Sequence, residues 1–231
     1  MVKVKGIAFD IKGSLGHFRR PDTTATQMTY PFITPTAAKG LVGAILGIED
    51  FVTMDKVGIK LLHPVRTVAQ QMSMIGKDSG STFNRPTTIE LLVNPAYRIY
   101  YTGEEYTEQL LEFLTQEKSV YTTYLGAAYA LTKPILYKTF LDVCYAPIEE
   151  QEITLGSIVP VAIIKEVIPK IDYYYCRAGG YLCQYKGNRT FEKSIDFLYE
   201  KDGKPISIIP KKEPLLDLEL AKFGEYLVCL I

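Results

Sequence analysis

Gly13-Ser14-Leu15-Gly16-His17-Phe18-Arg19-Arg20-Pro21 leads through a Thr-rich loop into Thr34-Pro35-Thr36-Ala37-Ala38-Lys39-Gly40-Leu41-Val42-Gly43-Ala44-Ile45-Leu46-Gly47. This stretch reads as a strand, a Gly-broken and Arg-bearing bend, and a helix. Gly13 and Gly16 permit close backbone approach, and Pro21 ends the strand. Thr34 is an N-cap with Pro35 at the first helical position, where its missing N–H costs little. Ala37, Ala38, Leu41, Val42, Ile45 and Leu46 form one apolar stripe, and Gly47 suits the C′ stop. Free backbone N–H groups, hydroxyls and guanidinium groups thus gather at one bend, a set that favours an anionic ligand. A solvated strand–turn–helix accounts for the same residues equally well.

Outward from that stretch, residues 3–12 alternate as a strand, with Ile7, Phe9 and Ile11 on one face. Val57, Ile59 and Leu61 repeat the pattern. Thr67–Thr87 is polar and Gly-punctuated, with a turn signal at Lys77-Asp78-Ser79-Gly80, and reads as a protruding hairpin. A third strand is expected from Thr88 to Val93, reset by Asn94-Pro95 and resumed through Tyr101. Thr107 is expected to cap a short helix carrying Leu110, Leu111, Phe113 and Leu114. Tyr124-Leu125-Gly126 marks an aromatic loop, and Ile135–Tyr145 a further strand. The order β-α-β-β-α-β is that of a ferredoxin-like (RRM-like) unit within an α+β chain. After Pro147 the pattern changes to short strands around a polar, Tyr-rich, Gly-rich segment that opens at 172–175. The expected division is 1–147, with its hairpin at about 67–87, and a small β-rich part at 148–231.

The 231 residues are 47% apolar and 23% charged, an ordinary globular composition. No apolar run reaches membrane-spanning length, and the start lacks a signal-peptide core. Cys144, Cys176, Cys183 and Cys229 are scattered without a C-x-x-C, which suits buried thiols in a reducing cytoplasm. Net charge is zero, yet residues 1–90 carry 11 Lys/Arg against 7 Asp/Glu. The first half can hold an anion site, but the protein is not coated in positive charge.

Chemistry is sparsely signposted. His17 and His63 are the only histidines. His17 with Tyr30 or Lys39 could cleave RNA without metal, as base and acid toward a ribose 2′-hydroxyl, but a lone loop histidine serves as readily as a hydrogen-bonding or stacking residue. Carboxylates occur singly or in exposed pairs without companion histidines, so no metal or cofactor is expected. No phosphate-loop or nucleophile-elbow motif is present. Single-stranded RNA is read by aromatic and guanidinium planes, and Phe18 beside Arg19 and Arg20, and Phe83-Asn84-Arg85, offer both. No RNP1-type octamer supports ordinary sheet-face binding.

Gly13-x-x-Gly16-x-Phe18-Arg19, Thr29-Tyr30-Pro31, Pro35-Thr36-x-x-Lys39-Gly40-Leu41-x-Gly43-Ala44-Ile45-Leu46-Gly47 and Tyr124-Leu125-Gly126 together resemble the Cas-five family of CRISPR-associated proteins, in the RAMP superfamily. The likeness is strongest over residues 1–50 and closest to the I-B branch. It implies a ferredoxin-like domain with a thumb hairpin and a small C-terminal β part. It also implies a non-catalytic, cytoplasmic subunit of a type I Cascade antiviral surveillance complex, monomeric outside it, that caps the 5′ handle of the CRISPR RNA and contacts the backbone and large subunits. In the I-C branch, which cleaves precursor RNA, a tyrosine follows the Pro-Thr pair and a Lys-His pair comes later. Here Ala37 follows Thr36 and no Lys-His occurs, which speaks against that activity, although a metal-independent endoribonuclease is the alternative function.

The bend and the resemblance together nominate the RNA-contacting residues. Arg19 and Arg20 would meet phosphates, with His17 and Phe18 near the bases and Tyr30 also among the RNA-contacting residues. Thr34 and Lys39 would approach the strand from the helix start. Gln70, Lys77, Asn84 and Arg85 on the hairpin would grip the handle or a neighbouring subunit.

Overall fold

The computed structural model describes residues 5–78, 80–212 and 218–231, apart from the side chains of Lys77 and Asp78. The first half runs β1 (Gly6–Lys12), a two-residue β2 (Leu15–Gly16), α1 (Pro35–Leu46), β3 (Lys56–Leu61), β4 (Thr67–Asp78), β5 (Ser81–Val93), β6 (Ala96–Thr102), α2 (Thr107–Thr115) and β7 (Ile135–Phe140). The second half holds β8 (Cys144–Ala146), β9 (Ile153–Leu155), β10 (Val159–Pro160), a 3-10 turn, β11 (Ile164–Ile168), β12 (Tyr175–Tyr185), β13 (Phe191–Glu200), β14 (Ile206–Pro210), β15 (Glu219–Phe223) and β16 (Tyr226–Leu230). The fold is α+β and rich in strand, with several antiparallel sheets.

Four strands form an antiparallel sheet in the order β3-β6-β1-β7. Alternation sends Ile7, Phe9 and Ile11 of β1, and Tyr97, Ile99 and Tyr101 of β6, to one face. There they join the buried residues of α1 and α2 in the main core. The opposite face presents Ala8 and Tyr100, and β8, β15 and β16 cover it with Phe223, Val228 and Leu230. The cover is close: a Cβ on Gly58 would lie 2.2 Å from Val228 Cγ1. The sheet face on which bases would stack in ordinary sheet-face recognition is therefore filled by the chain's own C-terminal strands.

The local signals around α1 hold. Thr34 Oγ1 accepts from the Ala37 N–H at 3.0 Å, Pro35 is the first helical residue, and Gly47 stops the helix at φ 77°. At α2 the structure corrects the expected cap. Thr107 is already helical, Tyr106 takes the N-cap position, and no side chain caps there. The buried carboxylate of Asp55 supplies the acceptors instead, taking the N–H of Glu105 at 3.1 Å, that of Tyr106 at 2.8 Å and the Tyr101 hydroxyl at 2.8 Å.

The hairpin is longer than expected, and the third strand differs. Thr88–Val93 continues β5 and pairs with β4 from Thr67↔Leu92 onward, so the central sheet resumes only at Ala96. Asn94, at φ 49°, makes the break. Ser79 lies outside the described residues, as does the side chain of Lys77. Ile135–Tyr145 also divides: β7 stays in the central sheet, whereas β8 joins β15. The Tyr-rich segment opens the 11-residue β12, paired with β13. Leu155, Val159, Tyr181, Phe197 and Ile206 sit in the same apolar cluster as the helices, so one core runs through both halves.

Candidate nucleic-acid interface

The bend is built on the base of the hairpin. Leu15 and Gly16 pair with Val93 and Leu92. The chain then doubles back on itself, with Tyr30 N donating to Phe18 O at 2.7 Å and Arg20 N to Met28 O at 2.9 Å. Gln27 N donates to Thr88 O, and Glu90 N to Gln27 O, tying the returning strand to β5. The Thr29 N–H donates to Glu90 Oε2 at 3.1 Å. On the other side the bend meets the aromatic loop, where His17 N donates to Leu125 O at 2.9 Å. Gly126, at φ 81°, lets that loop close: a Cβ there would fall 2.2 Å from His17 O.

This scaffold sorts the expected residues. His17 is buried and its Nδ1 lies 2.8 Å from the carbonyl of Glu90; since a carbonyl only accepts, Nδ1 donates. Phe18 is buried, with its ring edge-on to Tyr97 at 6.3 Å. Tyr30 is buried too; its hydroxyl donates to Gly180 O, its ring lies 4.2 Å from that of Tyr181, and burial raises its pKa. These three support the bend from below and do not present open faces. Arg19 is exposed, and Arg20 half-buried at the rim of a groove. Thr34 and Lys39 line a different cleft. Gln70, Asn84 and Arg85 are exposed along the hairpin. Gln70 and Arg85 share one face with Met72 and Met74, and Asn84 lies on the other, beside Ile75.

The groove beside Arg20 has a volume of about 910 Å³. Its walls are the bend, the start of the hairpin and the start of β12. Arg20, Arg66, Arg177 and Lys201 line it, with Glu90 the one acid among the lining residues. Arg20 is held bidentately by Asp22, at 2.6 and 3.1 Å, which raises the arginine's pKa and lowers that of the carboxyl. Arg177 pairs with Asp196 at 2.6 Å, and the Gly180 N–H also donates to that carboxylate; both lower its pKa. Arg66 and Lys201 are exposed and, among the described residues, have no ion-pair partner. Such a groove can take a phosphate chain: two free cations offer direct contacts, and two more can exchange a carboxylate for a phosphate.

Arg66, Arg177, Lys201 and Glu90 were not foreseen from sequence. Arg66 follows His63-Pro64 at the mouth of the hairpin, the one local hint among them.

Residues 6–74 match the family model described as CRISPR-associated protein (Cas_Cas5). The resemblance to the Cas-five family is borne out. The matched span holds β1, the bend, α1, β3 and most of β4, and so the bend and hairpin-start walls of the groove but not the β12 wall. No curated protein matches the chain. Among solved structures, a chain of a "CRISPR RNA-guided surveillance complex" aligns with a TM-score of 0.57 at 13% identity, over 92% of this chain and 95% of that one. A CRISPR protein from Archaeoglobus fulgidus aligns with a TM-score of 0.55 at 13% identity, over 97% of each chain. At that identity the two speak for the fold.

Proposed function

We propose that the chain is a non-catalytic CRISPR RNA-binding subunit of a type I Cascade complex, closest to the I-B branch, which caps the 5′ handle of the guide RNA. The observation that carries this reading is the groove: the bend that resembles the Cas-five family forms one wall, and cations from distant parts of the chain form the others. In this reading the ferredoxin-like unit comprises β1, α1, β3, β6, α2 and β7. The order β3-β6-β1-β7, antiparallel throughout, supports it. The hairpin β4–β5 acts as the thumb, and with the neighbouring surface it would meet the backbone and large subunits. The assignment to the cytoplasm follows from that role, in keeping with the free cysteines; no described helix is long and apolar enough to cross a membrane.

Binding without cutting is supported by the fate of the acid–base set. His17 has Nδ1 on Glu90 O and its other nitrogen, Nε2, buried without a hydrogen-bond partner among the described residues, the Tyr30 hydroxyl is committed to Gly180 O, and Lys39 lies in the other cleft. A handle RNA carrying a photoreactive 4-thiouridine tests the reading. Crosslinks in the peptides containing Arg20, Arg66 or Arg177 are expected; crosslinks confined to the sheet edge at β7 would overturn it. Metal-free incubation with repeat RNA should leave the RNA intact, and cleavage lost in His17→Ala would replace this reading with the endoribonuclease.

A further inference from the structure

A second cleft, of about 880 Å³, shares no lining residue with the groove. Between the two, Phe32 stacks on Tyr181 at 4.9 Å and Tyr30 packs on the same ring. The second cleft is walled by the first turns of α1, the segment that follows the helix, and the facing ends of β12 and β13. Its volume falls in the range of small-ligand sites.

Lys39, Lys56, Lys186 and Lys193 line this cleft, against Asp50 and Glu192. Most of these charges are occupied. Lys56 pairs with Glu219 at 2.7 Å and Lys186 with Glu192 at 2.8 Å, while Asp50 accepts from the Tyr185 hydroxyl and the Asn188 N–H. Lys39 is the exception. It is half-buried and, among the described residues, has no hydrogen-bond or ion-pair partner. Burial holds its ammonium below the usual lysine range. A desolvated, unpaired cation facing a cavity is stabilised by an incoming anion.

A glycine supplies the second observation. Gly43 of α1 has a packing reason, since a Cβ there would lie 2.6 Å from Phe51 Cβ. Gly40, one turn earlier, has none. A Cβ there would meet nothing within 4 Å, and the residue lines the cleft. A mid-helix glycine destabilises a helix relative to alanine, and at Gly40 no packing contact accounts for it. Here the missing side chain leaves a flat patch of helix backbone open to the cavity. Phe51 and Phe191 add apolar surface to the lining.

We propose that this cleft binds a nucleotide, with its planar ring over Gly40 between the apolar walls and its phosphate on Lys39. A lysine binds phosphate as a point charge, and a bare glycine lets a flat ring reach the helix. The same chemistry can come from a free mononucleotide or from the phosphorylated end of an RNA strand. The site does not depend on RNA occupying the groove.

Calorimetric titration of the full chain with adenosine 5′-monophosphate, and separately with inorganic phosphate, tests it. The nucleotide is expected to bind, and phosphate alone to bind about 10-fold or more weakly. Lys39→Met should weaken nucleotide binding by about 10-fold or more, and Lys39→Arg should restore part of it. Gly40→Leu should abolish binding by filling the cleft, with no loss of melting temperature. Arg66→Ala, which is expected to weaken RNA binding in the groove, should keep nucleotide affinity, so failure of one site is told from failure of the other. A short 5′-phosphorylated oligonucleotide that displaces the nucleotide assigns the site to an RNA end; one that does not assigns it to the free nucleotide. No binding at millimolar nucleotide, or equal affinity in Lys39→Met and Gly40→Leu, would overturn the proposal.

Discussion

Arg20 reaches the groove with one guanidinium edge, Nε and Nη2, already on Asp22. The Asp22 charge offsets part of the guanidinium's attraction for phosphate, and a phosphate on that same edge must displace the carboxylate. Asp22→Asn should therefore tighten handle-RNA binding a few-fold at low salt, measured by fluorescence anisotropy, with little change in stability because Asp22 is exposed. Asp55 is the opposite case. It is buried and takes three donors, so Asp55→Ala strips the start of α2 and orphans the Tyr101 hydroxyl. Loss of about 2 kcal/mol or more in denaturant unfolding is expected. The thiols divide in the same way. Burial pushes the Cys229 thiol up to about 12 and Cys183 up as well, so neither should be alkylated in the native chain at neutral pH. Cys144 is exposed and should label first, slowed by its hydrogen bond to Asp142. At this scale the sequence was most legible where partners are neighbours in the chain: Thr34 caps its own helix as read. Asp55 was not foreseen because the helix it caps lies about fifty residues away, and spacing carries no signal at that distance.

At the scale of elements, α1 offers a clean contrast. Gly40→Ala should stabilise the protein by about 0.5–1 kcal/mol, the usual gain for a mid-helix glycine in open space. Gly43→Ala should destabilise it by about 1–3 kcal/mol, because the new methyl group meets Phe51. Paired urea melts measure both. The strands show where pattern reading stops. β1 and β3 alternate cleanly and were placed, because one face meets the helices. Thr88–Val93 alternates equally well, yet it serves the hairpin and not the central sheet; alternation fixes the face of a strand, not its partner. β12 reads from sequence only as a polar, Tyr-rich segment, because it holds no β-branched residue and Gly179-Gly180 interrupt its alternation. Its pairing with β13 and its contacts with α1 and the bend hold it as a strand.

Across the whole molecule, the C-terminal strands do two things that their short, irregular sequence did not announce. β15 and β16 close the sheet face, and β12 supplies the outer wall of the groove. The positive balance of residues 1–90 pointed to the half that supplies Arg20 and Arg66 to the groove, but Arg177 and Lys201 come from the more acidic one. The groove exists only because the main core runs through both halves. Its cations should therefore act as a set on a phosphate chain. The most direct measurement is the salt dependence of handle-RNA affinity for the intact chain and for Arg20→Ala/Arg66→Ala/Lys201→Ala. Each lost phosphate contact flattens the logarithmic slope by about 0.7, so the triple variant should bind far more weakly, with a slope lower by roughly 2. Equal affinity and equal slope in the two proteins would contradict the account.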